Sequence, residues 1–157
     1  MNPCLTTALY ETAALTFEQL GMMLPVPMDD GAPPGPPEAS AQVAFRGTIE
    51  GHLVITAHEG VLAELSANML GEDGPVPPER QLDALGEAAN VACGNLLPRI
   101  VGRQAVMRIS APQVARPAEG LPKPGEPVAE THLGLEAGAV SLALFVADLT
   151  PLQEAEP

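Results

Sequence analysis

One stretch of this 157-residue chain carries side chains whose types and spacing suit chemistry. It reads Gln81-Leu82-Asp83-Ala84-Leu85-Gly86-Glu87-Ala88-Ala89-Asn90-Val91-Ala92-Cys93-Gly94-Asn95. At about 100° per residue in a helix, Asp83, Glu87, Asn90 and Gly94 fall within a stripe roughly 60° wide. Leu85, Ala89, Ala92 and Leu96 gather on the opposite side. One face thus offers two carboxylates, a carboxamide and a residue with no side chain. A carboxamide can accept from and donate to a water molecule without adding charge. A carboxylate can pair with a cationic group on a partner.

A merely solvated helix face usually mixes Glu with Lys or Arg, because opposite charges at i,i+4 help the helix. Here Asp83 and Glu87 are like charges at that spacing, and the stripe has no Lys. Gly86 and Gly94 each cost up to about 1 kcal/mol against Ala. A helix that accepts these penalties is under another constraint. That constraint is a partner on the polar face, or close helix packing at the glycines.

No other constellation competes. His52, His58 and His132 have no second ligand at metal spacing, and Cys4 and Cys93 form no C-x-x-C pair. The cysteines read as reduced thiols. Lys+Arg is 7 against Asp+Glu 20, a net charge of −13. That argues against nucleic acid and against anionic membranes, which need a cationic surface. The most apolar run, residues 137–147, falls short of the roughly 20 residues a bilayer span requires. With no basic region before an apolar one, there is no signal-peptide pattern, and the expected location is cytoplasmic.

The elements that must position the stripe follow from periodicity and breakers. Leu5, Leu9, Ala13, Phe17 and Leu20 predict a helix over 3–24, ended by Pro25 and Pro27. Residues 29–39 and 115–125 are Pro/Gly-rich and read as loops. A hairpin is expected from 42–49 and 52–57 around Glu50-Gly51, and a second helix over 60–70. After a turn-rich break at 71–78, the helix bearing the stripe runs over 79–100. Pro98 is expected to bend or end it near Gly94. A strand over 104–112 follows, then a hairpin of 128–135 and 140–147 turning at 136–138. Residues 150–157 are expected to fray. Helices and strands are segregated. The chain therefore reads as one domain, 1–157, of the α+β class, with a largely antiparallel sheet flanked by long helices. Gly21-Met22-Met23-Leu24-Pro25 and Gly94-Asn95-Leu96-Leu97-Pro98 hint at a duplicated helix–strand–strand unit.

Asp83-x-x-x-Glu87-x-x-Asn90, followed by Gly94-Asn95, resembles the signature of the CheC/CheX/FliY phosphatases of bacterial chemotaxis, and of CheX most closely. Pro112 lies 22 positions after Asn90 (112 − 90), where the family also tends to carry a proline. Arg46-Gly47 to Ile55 resembles the hairpin before the family's second helix, and Ala63 to Gly71 that helix and its exit. CheC-type members carry Glu-x-x-Asn twice. The first helix here offers Glu11-x-x-Ala14, with alanine in place of the amide, so the resemblance implies a single site per chain.

The resemblance implies a CheC-like domain that hydrolyses the aspartyl phosphate of a CheY-like response regulator. In that scheme the regulator supplies the acyl phosphate, a divalent metal and a cationic residue, and this chain needs no cofactor of its own. Asn90 would orient the attacking water and Glu87 would pair with the regulator's cation. Asp83 and Gly94 would complete the docking face. It also implies a homodimer through paired sheet edges. The rival expectation is a non-catalytic adaptor of the same fold, binding a response regulator or a flagellar motor-switch component. Docking on an acidic receiver needs locally positive charge, and only Arg80, Arg99 and Arg103 lie near the helix in sequence.

Overall fold

The structure, a computed structural model, describes residues 2–28, 35–116, 121 and 125–155. Ten elements follow in order: α1 Pro3–Gly21, β1 Pro37–Gly47, β2 Gly51–His58, α2 Val61–Leu70, α3 Pro78–Val101, β3 Met107–Ile109, β4 Gln113–Ala115, β5 Ala129–Leu135, β6 Gly138–Val146 and α4 Thr150–Ala155. The six strands form one sheet in the order β3-β1-β2-β6-β5, with β4 also on β1, and every pairing is antiparallel. The α+β expectation holds.

Strand alternation sorts the sheet into two faces. Ala41, Val43, Leu53, Ile55, Leu133, Leu142 and Leu144 point to one face and are buried there with Leu9, Phe17, Leu62, Leu65, Leu85 and Leu96 of the helices. The other face carries small and polar residues, among them Ser40, Thr56, Ser141 and His132. The two hairpins, β1–β2 and β5–β6, meet through β2 and β6 at the centre. Each long helix crosses to the other hairpin's outer strand: α1 packs on β5 and α3 on β1. That arrangement is the helix–hairpin duplication in space. The five-residue match does not mark it, since Gly21 closes α1 whereas Gly94–Pro98 lies inside α3.

Several boundaries differ from the expectation, each for a local reason. The first helix stops at Gly21, not 24. Met22 adopts a left-handed φ of 53° and its N–H closes on Glu18 O at 3.0 Å. The released segment turns onto the edge of β5, where Val26 N donates to Gly134 O at 2.8 Å. β1 begins at Pro37, inside the expected 29–39 loop, because Ala39 and Ala41 find partners in Ala57 and Ile55. Residues 29–34 lie outside the described residues, as do 117–120 and 122–124 of the other expected loop. Of the expected strand 104–112 only β3, 107–109, forms, and a second short strand, β4, follows beyond it at 113–115. Both pair with β1, and between them Ser110 Oγ accepts from Ala44 N at 3.0 Å in place of a ladder carbonyl. Pro112 has no N–H to continue the ladder. Pro98 does not end α3, which runs on to Val101, and Gly102 N caps Pro98 O at 3.0 Å. The tail expected to fray forms α4 from Thr150, with Leu152 buried in the core.

Candidate functional site

The helix that carries the polar stripe is α3. Pro78 starts it, where the missing N–H costs nothing. Its buried residues are Ala84, Leu85, Gly86, Ala88, Ala89, Ala92, Cys93, Leu96 and Leu97, which fix its rotation against the core. That rotation leaves Asp83, Glu87 and Gly94 exposed and Asn90 half-buried. The four residues predicted to share one face are together on the solvent side, one above another over three turns. Among the described residues, the side chains of Asp83, Glu87 and Asn90 make no hydrogen bond or ion pair within the chain. They are free to bind something else.

The two helix glycines have different reasons. An alanine Cβ at Gly86 would lie 3.2 Å from Pro112 Cγ and 3.3 Å from Val114 Cγ1. Gly86 is therefore a packing residue that lets the Pro112–Val114 segment press against α3 beside Glu87. At Gly94 the same Cβ would meet nothing within 4 Å. Among the described residues no contact accounts for that glycine. Its carbonyl is also unusual, since Pro98, four residues on, has no N–H to donate to it.

The charge around the helix is smaller than the sequence suggested. Arg80 lies 3.8 Å from Glu72, and Arg99 is engaged by Glu11, the acid of the first-helix motif that lacks its amide. Arg99 also donates to Thr12 Oγ1 at 3.3 Å. Of the three arginines expected near α3, Arg103 alone has no ion pair among the described residues. Sequence reading missed Arg116, whose guanidinium donates to Gln81 Oε1 at 2.9 Å near the start of α3. No local pattern marks that pairing, because the partners are 35 positions apart. Burial pushes the Cys93 thiol up to about 12, so it is no nucleophile at neutral pH. Among the described residues no group of three or more His, Cys, Asp or Glu side chains is placed to hold a metal ion, and no helix is long and apolar enough to cross a membrane.

An antiparallel six-stranded sheet with two long helices swapped between hairpins, and one helix presenting a free acid–amide stripe, defines a CheC-like α+β domain. A family model described as chemotaxis phosphatase CheX matches residues 39–126, more than half of the chain. The chain belongs to the CheX chemotaxis phosphatase family. Among solved structures it is similar to the chemotaxis protein CheX from Vibrio vulnificus, with a TM-score of 0.72 and 18% identity, covering 93% of this chain and 99% of that one. A CheC-like superfamily protein from Shewanella matches with a TM-score of 0.68 and 16% identity over 94% and 100% of the two chains. CheX in the CheX–CheY–BeF3–Mg complex from Borrelia burgdorferi matches with a TM-score of 0.65 and 13% identity over 90% and 97%. At these identities the structural matches speak to the fold. No curated protein matches the sequence.

Gly94→Ala is expected to separate folding from docking. Removing a helix-interior glycine in open space should raise stability by up to about 1 kcal/mol. A methyl group at the C-terminal end of the stripe should weaken any partner seated there. Thermal melts and a binding titration on the same variant check both halves.

Proposed function

We propose that this chain removes the phosphoryl group from the phosphoaspartate of a CheY-like response regulator, docking through the exposed face of α3. The observation that carries the reading is the stripe of Asp83, Glu87, Asn90 and Gly94, solvent-facing and unsatisfied on a helix otherwise locked into the core. Family membership and the Borrelia burgdorferi CheX–CheY complex support the choice of partner. Phosphoryl transfer is governed mainly by positioning and electrostatics. The regulator brings the acyl phosphate, its metal and a cationic side chain, so this chain has one thing to add: a water held in line with the phosphorus. Asn90 has the chemistry for it, since its amide both accepts from and donates to water and repels no phosphoryl oxygen. Glu87, one turn earlier and unpaired, reaches for the regulator's cation and sets the depth of docking. Asp83 extends the acidic end of the same face. The chain acts in the cytoplasm, where such a partner resides. A second copy pairs through the β3/β4 edge, because Val26 engages Gly134 of β5 and Asn2 engages Val128 just before that strand.

The test is phosphate release from acetyl-phosphate-charged receiver domains of the same genome, with and without the protein. Acceleration of one receiver supports the reading. Tight binding with no acceleration replaces it with the adaptor. Glu87→Ala is expected to lower both affinity and rate, because it removes an anchoring charge. Glu11→Ala is expected to change neither, as that face lacks an amide. Its loss should cost at most about 1 kcal/mol of stability, since Glu11 and Arg99 are well exposed.

A further inference from the structure

Opposite the helices, on the small and polar face of the sheet, residues of three strands meet. His58 of β2 and His132 of β5 both contact Ser141 of β6: His58 Nε2 lies 2.7 Å from Ser141 Oγ, and His132 Nδ1 also lies 2.7 Å from it. The other ring nitrogen of His58, Nδ1, is 2.6 Å from Gly35 O, just before β1. His58 is only 8% exposed, while His132 is exposed. Nothing in the proposed phosphatase face uses these groups.

The proton positions follow from the partners. A carbonyl oxygen only accepts, so His58 Nδ1 carries a proton and donates to Gly35. In the neutral ring Nε2 is then a bare acceptor, and Ser141 must give it the hydroxyl proton. Having spent its single proton, Ser141 Oγ can only accept from His132, which must hold its proton on Nδ1. The chain runs one way: His132 Nδ1–H to Ser141 O–H to His58 Nε2.

We propose that His58, Ser141 and His132 form a one-proton relay site, loaded through His132, whose second protonation breaks the tie joining β2, β6 and β5. A proton placed on His132 Nε2, the ring nitrogen turned away from Ser141, leaves every donor in place. It can also move inward: His132 Nδ1 passes its proton to Ser141 Oγ as the hydroxyl passes its own to His58 Nε2, and the net charge stays at one. A second proton makes both rings donors toward one hydroxyl oxygen that lies between two cations. That oxygen cannot serve as donor to either, and the like charges repel. Burial holds His58 below histidine's usual value of 6.5; the Gly35 hydrogen bond opposes this and His132 adds to it. The carboxylates on the elements around the pair are Glu38 of β1, Glu59 after β2, Glu130 of β5 and Glu136 in the β5–β6 turn. None forms an ion pair with either imidazole among the described residues. The sign follows: a lowered folded value contributes stability above about pH 6.5 and loses it as pH falls through the lower folded value.

Ring nitrogen NMR on the full chain from pH 8 to pH 5 tests this. At pH 8 both His58 and His132 should carry the proton on Nδ1, although a free imidazole in water favours Nε2. Ser141→Ala should return His132 to the Nε2–H tautomer and raise the His58 midpoint by about half a pH unit or more. His132→Gln should raise the same midpoint by removing the neighbouring charge. Amide exchange in β5 should quicken below the His58 midpoint in the parent chain, and already be quick at pH 8 in Ser141→Ala. Finding His132 as the Nε2–H tautomer at pH 8, or a His58 midpoint unmoved in both variants, would overturn the proposal.

Discussion

Replacing Asn90 by Ala is expected to lower turnover of a phosphorylated regulator by about 10²-fold or more while leaving its binding nearly unchanged. The proposed role of the amide is made in the transition state, where it holds the attacking water in line. Its loss therefore appears in kcat rather than in affinity. The side chain is half-buried but has no hydrogen-bond partner among the described residues, so truncating it strands no group there. The neighbouring core residues Ala89 and Ala92 are untouched, and the melting temperature should hardly move. Single-turnover phosphate release and a binding titration with the regulator check the two halves separately. An Asn90→Ala protein that retains full activity would remove the amide from the mechanism. An unmodified protein that binds its regulator without accelerating phosphate loss would leave the adaptor reading.

Gly51→Ala is expected to cost about 3 kcal/mol of stability, the upper end of ordinary overpacking. Gly51 opens β2 opposite Val146 of β6. A Cβ there would overlap the carbonyl oxygen of Phe145 and would lie 3.0 Å from Phe45 Cζ. The obstacle is backbone, which cannot swing away as a side-chain tip can. The β2–β6 ladder is also the seam between the two hairpins, so parting it at one end loosens both halves. For a chain of this size the loss lowers Tm by roughly 6–12 °C. Thermal and urea unfolding measure it, with Gly94→Ala as the comparison that should shift the other way. A Gly51→Ala protein melting within a degree or two of the parent would mean that the strands yield there at little cost.

Much of the candidate site is legible in the sequence. The phase of α3 follows from Leu85, Ala89, Ala92 and Leu96, and the polar stripe is what remains on the far side. A helix repeats every 3.6 residues, so residues within a few turns decide its buried face. The same local logic placed Leu5, Leu9, Ala13 and Phe17 of α1 in the core, and predicted both hairpins. Helix ends were less legible. Pro25 and Pro27 predict the stop for α1, but Met22 turns left-handed before them. Pro98 predicts a stop or bend in α3, but with Leu96 and Leu97 packed in the core the helix continues past it to Val101.

The segregated helices and strands, the face of α3 that meets the core, the acid–amide–glycine stripe on the other face and the missing amide beside Glu11 can be read from the chain alone. These are matters of local period and residue type. Three-dimensional packing supplies the reasons for Gly51 and Gly86 and leaves Gly94 open. Gly51, which reads as a turn residue, is a strand residue under the Phe145 carbonyl; Gly86 admits Pro112; Gly94 faces open space. It also decided that Glu11 is spent on Arg99, that Ser110 fills a gap in the β1 ladder, and that Gly35, His58, His132 and Ser141 share one hydrogen-bonded chain. Each of these joins segments tens of residues apart. Their meeting depends on sheet order and register, which are set by the packing of the whole core and leave no periodic trace in any one segment.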